Sequence, residues 1–198
     1  MKGFDEEPTS EQFRQEIKLR RRGIQVENPN PMPFSMPLLR PATPADIPKI
    51  QYIFRESILQ TCTPDYSAAQ CHVWANAGND AAKWGTKIRQ QNFWLALHQN
   101  RVVGFMSWEA SYLDLLYVHP AFQRRGIARQ LLRHMMQWAA SHAIPSLFTD
   151  ASLTARPFFE RHGFQVMATQ QPILGGIALP NFRMKKDLEP SPAIQTSA

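Results

Sequence analysis

Leu115-Leu116-Tyr117-Val118-His119-Pro120-Ala121-Phe122-Gln123-Arg124-Arg125-Gly126-Ile127-Ala128 is the stretch whose reading decides the fold. Its first four residues are an apolar, β-prone run, and His119 with Pro120 ends it, because proline cannot continue a central ladder. From Ile127 onward Leu131, Leu132, Met135, Trp138 and Ala139 recur on one helical face, with Arg129, Arg133 and Gln137 on the other. The stretch therefore leads from a strand (residues 111–118) through a short loop into a helix reaching about His142.

The start of that helix carries free backbone amides with partial positive charge, which suit an anion. Gly126 lets the backbone approach a ligand without a Cβ, and Ala128 is nearly as small. Arg124, Arg125 and Arg129 add charge-assisted donors, each worth about 1.5 to 3 kcal/mol when well formed. A pyrophosphate is the ligand these residues imply.

Outward from the turn, residues 93–98 and 101–109 read as a hairpin around Gln99 and Asn100. Upstream, Thr43 caps a helix that has Pro44 at its first position, with Ile47, Ile50, Ile53, Phe54, Ile58 and Leu59 at helical spacing. A short strand over 38–40 precedes it, and a further helix covers 68–77, ended by Gly78 and Asn79. Downstream come a strand over 146–149, a helix over 154–161 capped by Ser152 and ended by Gly163, and strands over 164–169 and 182–186. The succession implies an α/β sandwich with a mixed sheet covered by helices.

With 198 residues, 43% apolar and 19% charged, the chain suits one catalytic domain. Its apolar runs are far shorter than the roughly 20 residues that span a bilayer, and the acidic first residues are not a secretory signal, so a cytoplasmic protein without a membrane partner is expected. Seven prolines between residues 29 and 48 oppose regular structure, so residues 1–36 read as a flexible Pro-rich extension with a possible amphipathic helix over 10–22. The domain then covers 37–188 and a disordered tail 189–198. The net charge of +6 admits a nucleic-acid partner, but the basic cluster of Arg14 to Arg22 has few aromatics near it, so none is expected. Cys71-His72 has no second cluster to complete a metal site, and the histidines lack a nucleophile and acid in triad spacing. Neither a metal nor an acyl-enzyme is expected.

Gln123-Arg124-Arg125-Gly126-Ile127-Ala128 resembles the acetyl-CoA-binding motif of the GNAT N-acetyltransferases, which is Gln or Arg, two residues, Gly, one residue, then Gly or Ala. Leu116 to Pro120 matches the preceding family strand, and Ala155 to Phe164 the later helix-to-strand signature. The resemblance runs from about Leu38 to Leu188, and the closing Asn181 to Lys186 makes it look most like the bacterial YafP-type members. It implies the GNAT acyl-CoA N-acyltransferase fold: α/β, a central mixed, mostly antiparallel sheet flanked by helices. It also implies an enzyme moving the acetyl group of acetyl-CoA to a primary amine of a small molecule or peptide by direct attack in a ternary complex, as a monomer or homodimer. Leu116, Tyr117 and Val118 would meet the pantetheine arm, residues 123–128 with Arg129 the pyrophosphate, and Ser152 and Phe158 the arm from the far side, Ser152 standing where relatives often carry Asn.

A lysine-like ammonium is neutral in about one molecule in two thousand at pH 7, so a base or a water chain is needed. Asp114, Glu109 and Asp150 are candidates. Regular alternation puts Tyr112, Asp114 and Leu116 on one face, beside the expected thioester, which favours Asp114; the alternative is an acid tied to a neighbouring strand or helix. By the same alternation Tyr117 points to the other face and reads as packing. Relatives often place a tyrosine, the presumed proton donor to the thiolate, where this chain has Phe159. Tyr66, Tyr112 or water could replace it, or the thiolate leaves unprotonated. A rival reading is a non-catalytic acyl-CoA-binding regulatory module.

Overall fold

The structure is a computed structural model, and it describes residues 35–188. The expected helix over 10–22, the basic cluster from Arg14 to Arg22 and the tail over 189–198 lie outside the described residues, as does all but the end of the 1–36 extension.

Strand β1 (Leu38–Pro41) is followed by a 3-10 turn over Pro44–Asp46, with Thr43 as N-cap and reciprocal bonds between Thr43 and Asp46, and then by α1 (Ile47–Thr61). Next come α2 (Ala68–Asn76) and α3 (Ala81–Gln90). The sheet continues with β2 (Asn92–His98), β3 (Arg101–Glu109) and β4 (Tyr112–Val118), which feeds α4 (Ile127–Ser141). Strand β5 (Ser146–Ser152), α5 (Arg156–Arg161), β6 (Gln165–Gln170), the short hairpin β7 (Ile173–Leu174) and β8 (Ile177–Ala178), and β9 (Asn181–Asp187) complete the domain. Seven strands form one sheet in the order β1-β2-β3-β4-β5-β9-β6, antiparallel except between β4 and β5. The expected mixed, mostly antiparallel sheet with flanking helices is the fold observed. Among the described residues no helix is long and apolar enough to cross a membrane.

The two faces of β3 pack against different helices. Phe105 meets Trp84 of α3 at 5.9 Å and Tyr117 at 5.3 Å, while Phe54 of α1 packs on Trp84 at 5.4 Å. Trp108, three residues on, meets His134 and Trp138 of α4 at 5.9 and 5.6 Å. Alternation along the strand thus puts α1 and α3 on one face and α4 on the other. Ile127, Leu131, Leu132, Met135 and Ala139 of α4 are buried, each full burial being worth up to about 1.5 to 3 kcal/mol for the larger side chains. Gly104 on β3 permits this close seat: a Cβ there would lie 2.9 Å from the Tyr117 carbonyl and 3.3 Å from Ile127 Cγ2. That seat sets where the α4 N-terminus opens.

Two elements escaped the sequence reading. Helix α3 offers only Trp84 and Ile88 as apolar anchors and follows the turn residues Gly78 and Asn79, so its period is weak; Asp80, whose carboxylate accepts from the amides of Ala82 and Lys83, was its readable signal. The β7–β8 hairpin turns on Gly175 and Gly176, both at positive φ, a Gly-Gly signal flanked by very short strands.

Candidate active site

The β4–β5 ladder holds at Tyr112↔Phe148 and Leu113↔Thr149, and beyond these pairs the two strands part. From Asp114 onward β3 is the only described strand that pairs with β4, so no strand covers its other edge, where the Val118 carbonyl accepts from Ser57 Oγ at 2.9 Å. A cavity of about 540 Å³ occupies the opening. It runs from Asp114 and Asp150 at the point of parting, past Leu116, Tyr117 and Val118, to the turn over residues 123–128. Phe158 and Phe159 of α5 form one wall, and Ser57, Thr61, Cys62 and Trp74 from α1 and α2 form another.

The turn leaves the first amides of α4 uncovered by any side-chain cap. Gly126 is the N-cap of α4 at φ +80°, and it has no side chain to occupy the first amides. Arg124 also lies in the left-handed region, at φ +63°, a conformation costing on the order of 1 kcal/mol or more for a residue with a Cβ. A Cβ built on Gly126 meets nothing within 4 Å, so the space over the turn is open. Arg124, Ile127, Ala128 and Arg129 line the cavity, whereas the Arg125 guanidinium lies 5.4 Å from the Phe122 ring centre and is not part of the lining. The Gln123 side chain is a brace: its amide donates to Thr61 Oγ1 at 3.1 Å and to the Val118 carbonyl at 3.3 Å. Ser152 lines the cavity while its Oγ accepts from the Ala155 amide at 3.1 Å, and the N-cap of α5 is Ala155 rather than Ser152. Phe158 packs on His162 at 4.3 Å.

The two carboxylates where the strands part are both engaged. Ser107 and Trp108 are consecutive on β3 but face Leu115 and Leu113, so β4 carries one extra residue, Asp114, at a bulge. The alternation expected to set Tyr112, Asp114 and Leu116 on one face is broken there. Asp114 Oδ2 instead accepts from Lys87 Nζ on α3 and from Gln91 Nε2 at 2.9 Å, the helix-tied arrangement that was the alternative to a base. Asp150 accepts from Arg183 Nε and Nη2, from Gln170 Nε2 at 2.7 Å and from the Tyr112 hydroxyl at 3.0 Å. Burial alone would raise its pKa, but these donors outweigh burial and hold it below the usual carboxylate value. Tyr112 is pushed well above an ordinary phenol by burial and by the Asp150 charge, so it is a poor proton donor. Tyr66 donates to the Pro180 carbonyl at 2.6 Å, accepts from the Leu153 amide, and is also pushed up by burial. Glu109 is exposed at the end of β3, outside the cavity lining. Phe159 is buried against Phe158 and Phe164, and it brings no hydroxyl to the cavity wall it forms. Tyr117 stacks on Phe105, as its packing role predicts, yet it also lines the cavity.

Residues 62–188 match the model of the acetyltransferase (GNAT) domain. The chain is also 34% identical over 147 residues, 74% of its length and 93% of the relative's, to the uncharacterized N-acetyltransferase YafP of Escherichia coli strain K12. The chain belongs to the GNAT acetyltransferases. Among solved structures, a GCN5-related N-acetyltransferase from Rhodopseudomonas palustris superposes with a TM-score of 0.76 at 33% identity, over 80% of this chain and 100% of that one. The PaiA N-acetyltransferase of Thermoplasma acidophilum in complex with coenzyme A gives 0.64 at 20% identity, over 78% and 99%. YncA of Salmonella typhimurium with its cofactor acetyl-CoA gives 0.60 at 19%, over 82% and 99%; at such identities the likeness concerns the fold.

Within this GNAT domain the structure gathers Asp114, Leu116, Tyr117, Val118, Gln123, Arg124, Gly126, Ile127, Ala128, Arg129, Ser152 and Phe158 around one cavity, and leaves Arg125 and the Tyr112 hydroxyl to other contacts. Sequence reasoning missed Lys87, Gln91, Gln170 and Arg183, which hold the two carboxylates. A periodic pattern reveals none of them, because each reaches its partner from a different element.

Proposed function

We propose that the protein is an acetyl-CoA-dependent N-acetyltransferase acting in the cytoplasm on a primary amine by direct attack in a ternary complex. The observation that carries this reading is the single cavity joining the parting strands to the glycine-capped start of α4. Acetyl-CoA supplies an acetyl group activated as a thioester. The amides of residues 124–128 with Arg124 and Arg129 hold the pyrophosphate, and the edge of β4 at residues 116–118, which no strand covers, holds the pantetheine arm. Asp114 lines the cavity and receives, through water, the proton that frees the acceptor amine. The amine forms the new C–N bond, the C–S bond breaks with its electron pair leaving on the thiolate, and the nitrogen gives its second proton to water to leave the neutral amide. With Phe159 in place of a donor, the thiolate departs unprotonated, which a thiol pKa near 8.5 tolerates. Placement supplies roughly 7 to 11 kcal/mol of such a barrier, enough for turnover without a dedicated acid.

A non-catalytic acyl-CoA-binding module is the second reading, favoured by the commitment of both candidate phenols, Tyr66 and Tyr112, to other partners. Calorimetric titration with acetyl-CoA followed by thiol release over an amine and peptide panel separates the two. Binding with turnover supports the enzyme, binding without turnover the module, and absence of binding rejects both.

A further inference from the structure

The charged groups lining the cavity fall into two sets. Arg124, Arg129 and Arg161 come from the turn, α4 and α5; Asp114 and Asp150 come from the strands where they part. The carboxylates would be the natural counter-ions for a second positive charge on an acceptor. Neither is available for that. Lys87 forms an ion pair with Asp114, and Arg183 forms one with Asp150. Asp150 receives four hydrogen bonds on its two oxygens, which fills the roughly four acceptor sites of a carboxylate.

The cavity wall next to Asp114 is apolar and neutral. Tyr117 packs between Phe54 at 4.8 Å and Phe105 at 5.3 Å, Trp74 lies edge-on to Tyr66 at 5.5 Å, and Cys62 is buried with Thr154 beside it. Burial pushes the Cys62 thiol up to about 11, so it stays a neutral thiol rather than a nucleophile. An indole, a phenol and a thiol attract an acceptor through its apolar surface and give a second positive charge no partner.

We infer that the acceptor is a primary monoamine with an apolar body of aromatic size, carrying no second positive charge, held against the cavity wall that Trp74 and Tyr117 form together beside Asp114. The inference rests on the N-acetyltransferase reading above and adds the substrate class. It is tested by measuring thiol release from acetyl-CoA with 2-phenylethylamine, spermidine, glycine and a lysine-bearing peptide as acceptors. The expected kcat/KM for 2-phenylethylamine exceeds each of the others at least tenfold. Trp74→Ala is expected to raise its KM about tenfold with acetyl-CoA affinity unchanged, and Trp74→Phe to recover most of the loss, which also guards against a variant that fails to fold. Lys87→Met, which unpairs Asp114, is expected to raise the spermidine to 2-phenylethylamine ratio of kcat/KM at least fivefold. Equal or better use of spermidine, glycine or the peptide by the unaltered protein overturns the substrate class, and an unchanged ratio in Lys87→Met overturns the charge argument. Loss of acetyl-CoA binding itself would instead remove the enzyme reading on which the class depends.

Discussion

Gly126 holds φ +80° with open space where a Cβ would stand, so a side chain there both strains the turn and fills the phosphate path. Gly126→Glu is expected to abolish acetyl-CoA binding, measured by calorimetry, while circular dichroism remains that of the folded protein. Unchanged affinity in the folded variant would remove the pyrophosphate assignment. Asp114 is a harder case, because Lys87 and Gln91 both occupy its Oδ2. As the base, it gives an Asp114→Asn variant whose kcat at pH 7 falls about 10²-fold, the lower end of general-base effects, with acetyl-CoA affinity nearly unchanged. The defect should shrink as pH rises toward the pKa of the amine, since solvent then supplies the neutral nucleophile. A variant that loses stability but keeps its specific rate would make Asp114 a structural acid that anchors α3.

At the scale of elements, α3 is the support of that carboxylate, and its cap is Asp80, which accepts from Ala82 N at 3.0 Å and Lys83 N at 3.2 Å. Asp80→Ala should cost about 1 kcal/mol, lowering Tm by roughly 2 to 4 °C in a chain of this size. Because Lys87 sits in the last turn of the same helix, a fall in turnover accompanying the small Tm loss would show that α3 positions Asp114. The bulge in β4 is the other element-scale device. One extra residue turns Asp114 toward Lys87 and Gln91, while Leu116 stays paired with Met106.

For the whole molecule, acid stability follows from two buried groups. His119 is buried, its Nδ1 accepts from the Ala121 amide, and burial lowers its pKa from near 6.5 to about 4. Folding therefore favours its neutral form: this contribution is complete above about 6.5 and is lost as pH falls toward 4. Asp46 is held below the usual carboxylate range first by the Arg40 guanidinium, so its contribution is lost only at still lower pH. Thermal melts of wild type and His119→Gln should converge as pH drops from 7.5 to 4.5, and parallel curves would assign the acid loss elsewhere. The domain is proposed to occupy 37–188; removal of residues 1–30 should leave Tm within a few degrees and acetyl-CoA affinity intact, and a large drop in either would assign the extension to the folded unit.

The strand-loop-helix stretch around Gly126 was legible because its signals are local: a proline that ends a strand, a glycine that alone tolerates the turn, and an apolar helical face. Those signals fixed the order of the central elements, the glycine turn before the helix and the family resemblance. They ran out at α3, where two apolar anchors make no period, and at β4, where a bulge breaks a period of two. The state of the two carboxylates belongs to the tertiary structure alone. Lys87 stands 27 residues from Asp114 and Arg183 stands 33 from Asp150, so each pairing depends on sheet register and helix seating rather than on neighbours in the chain.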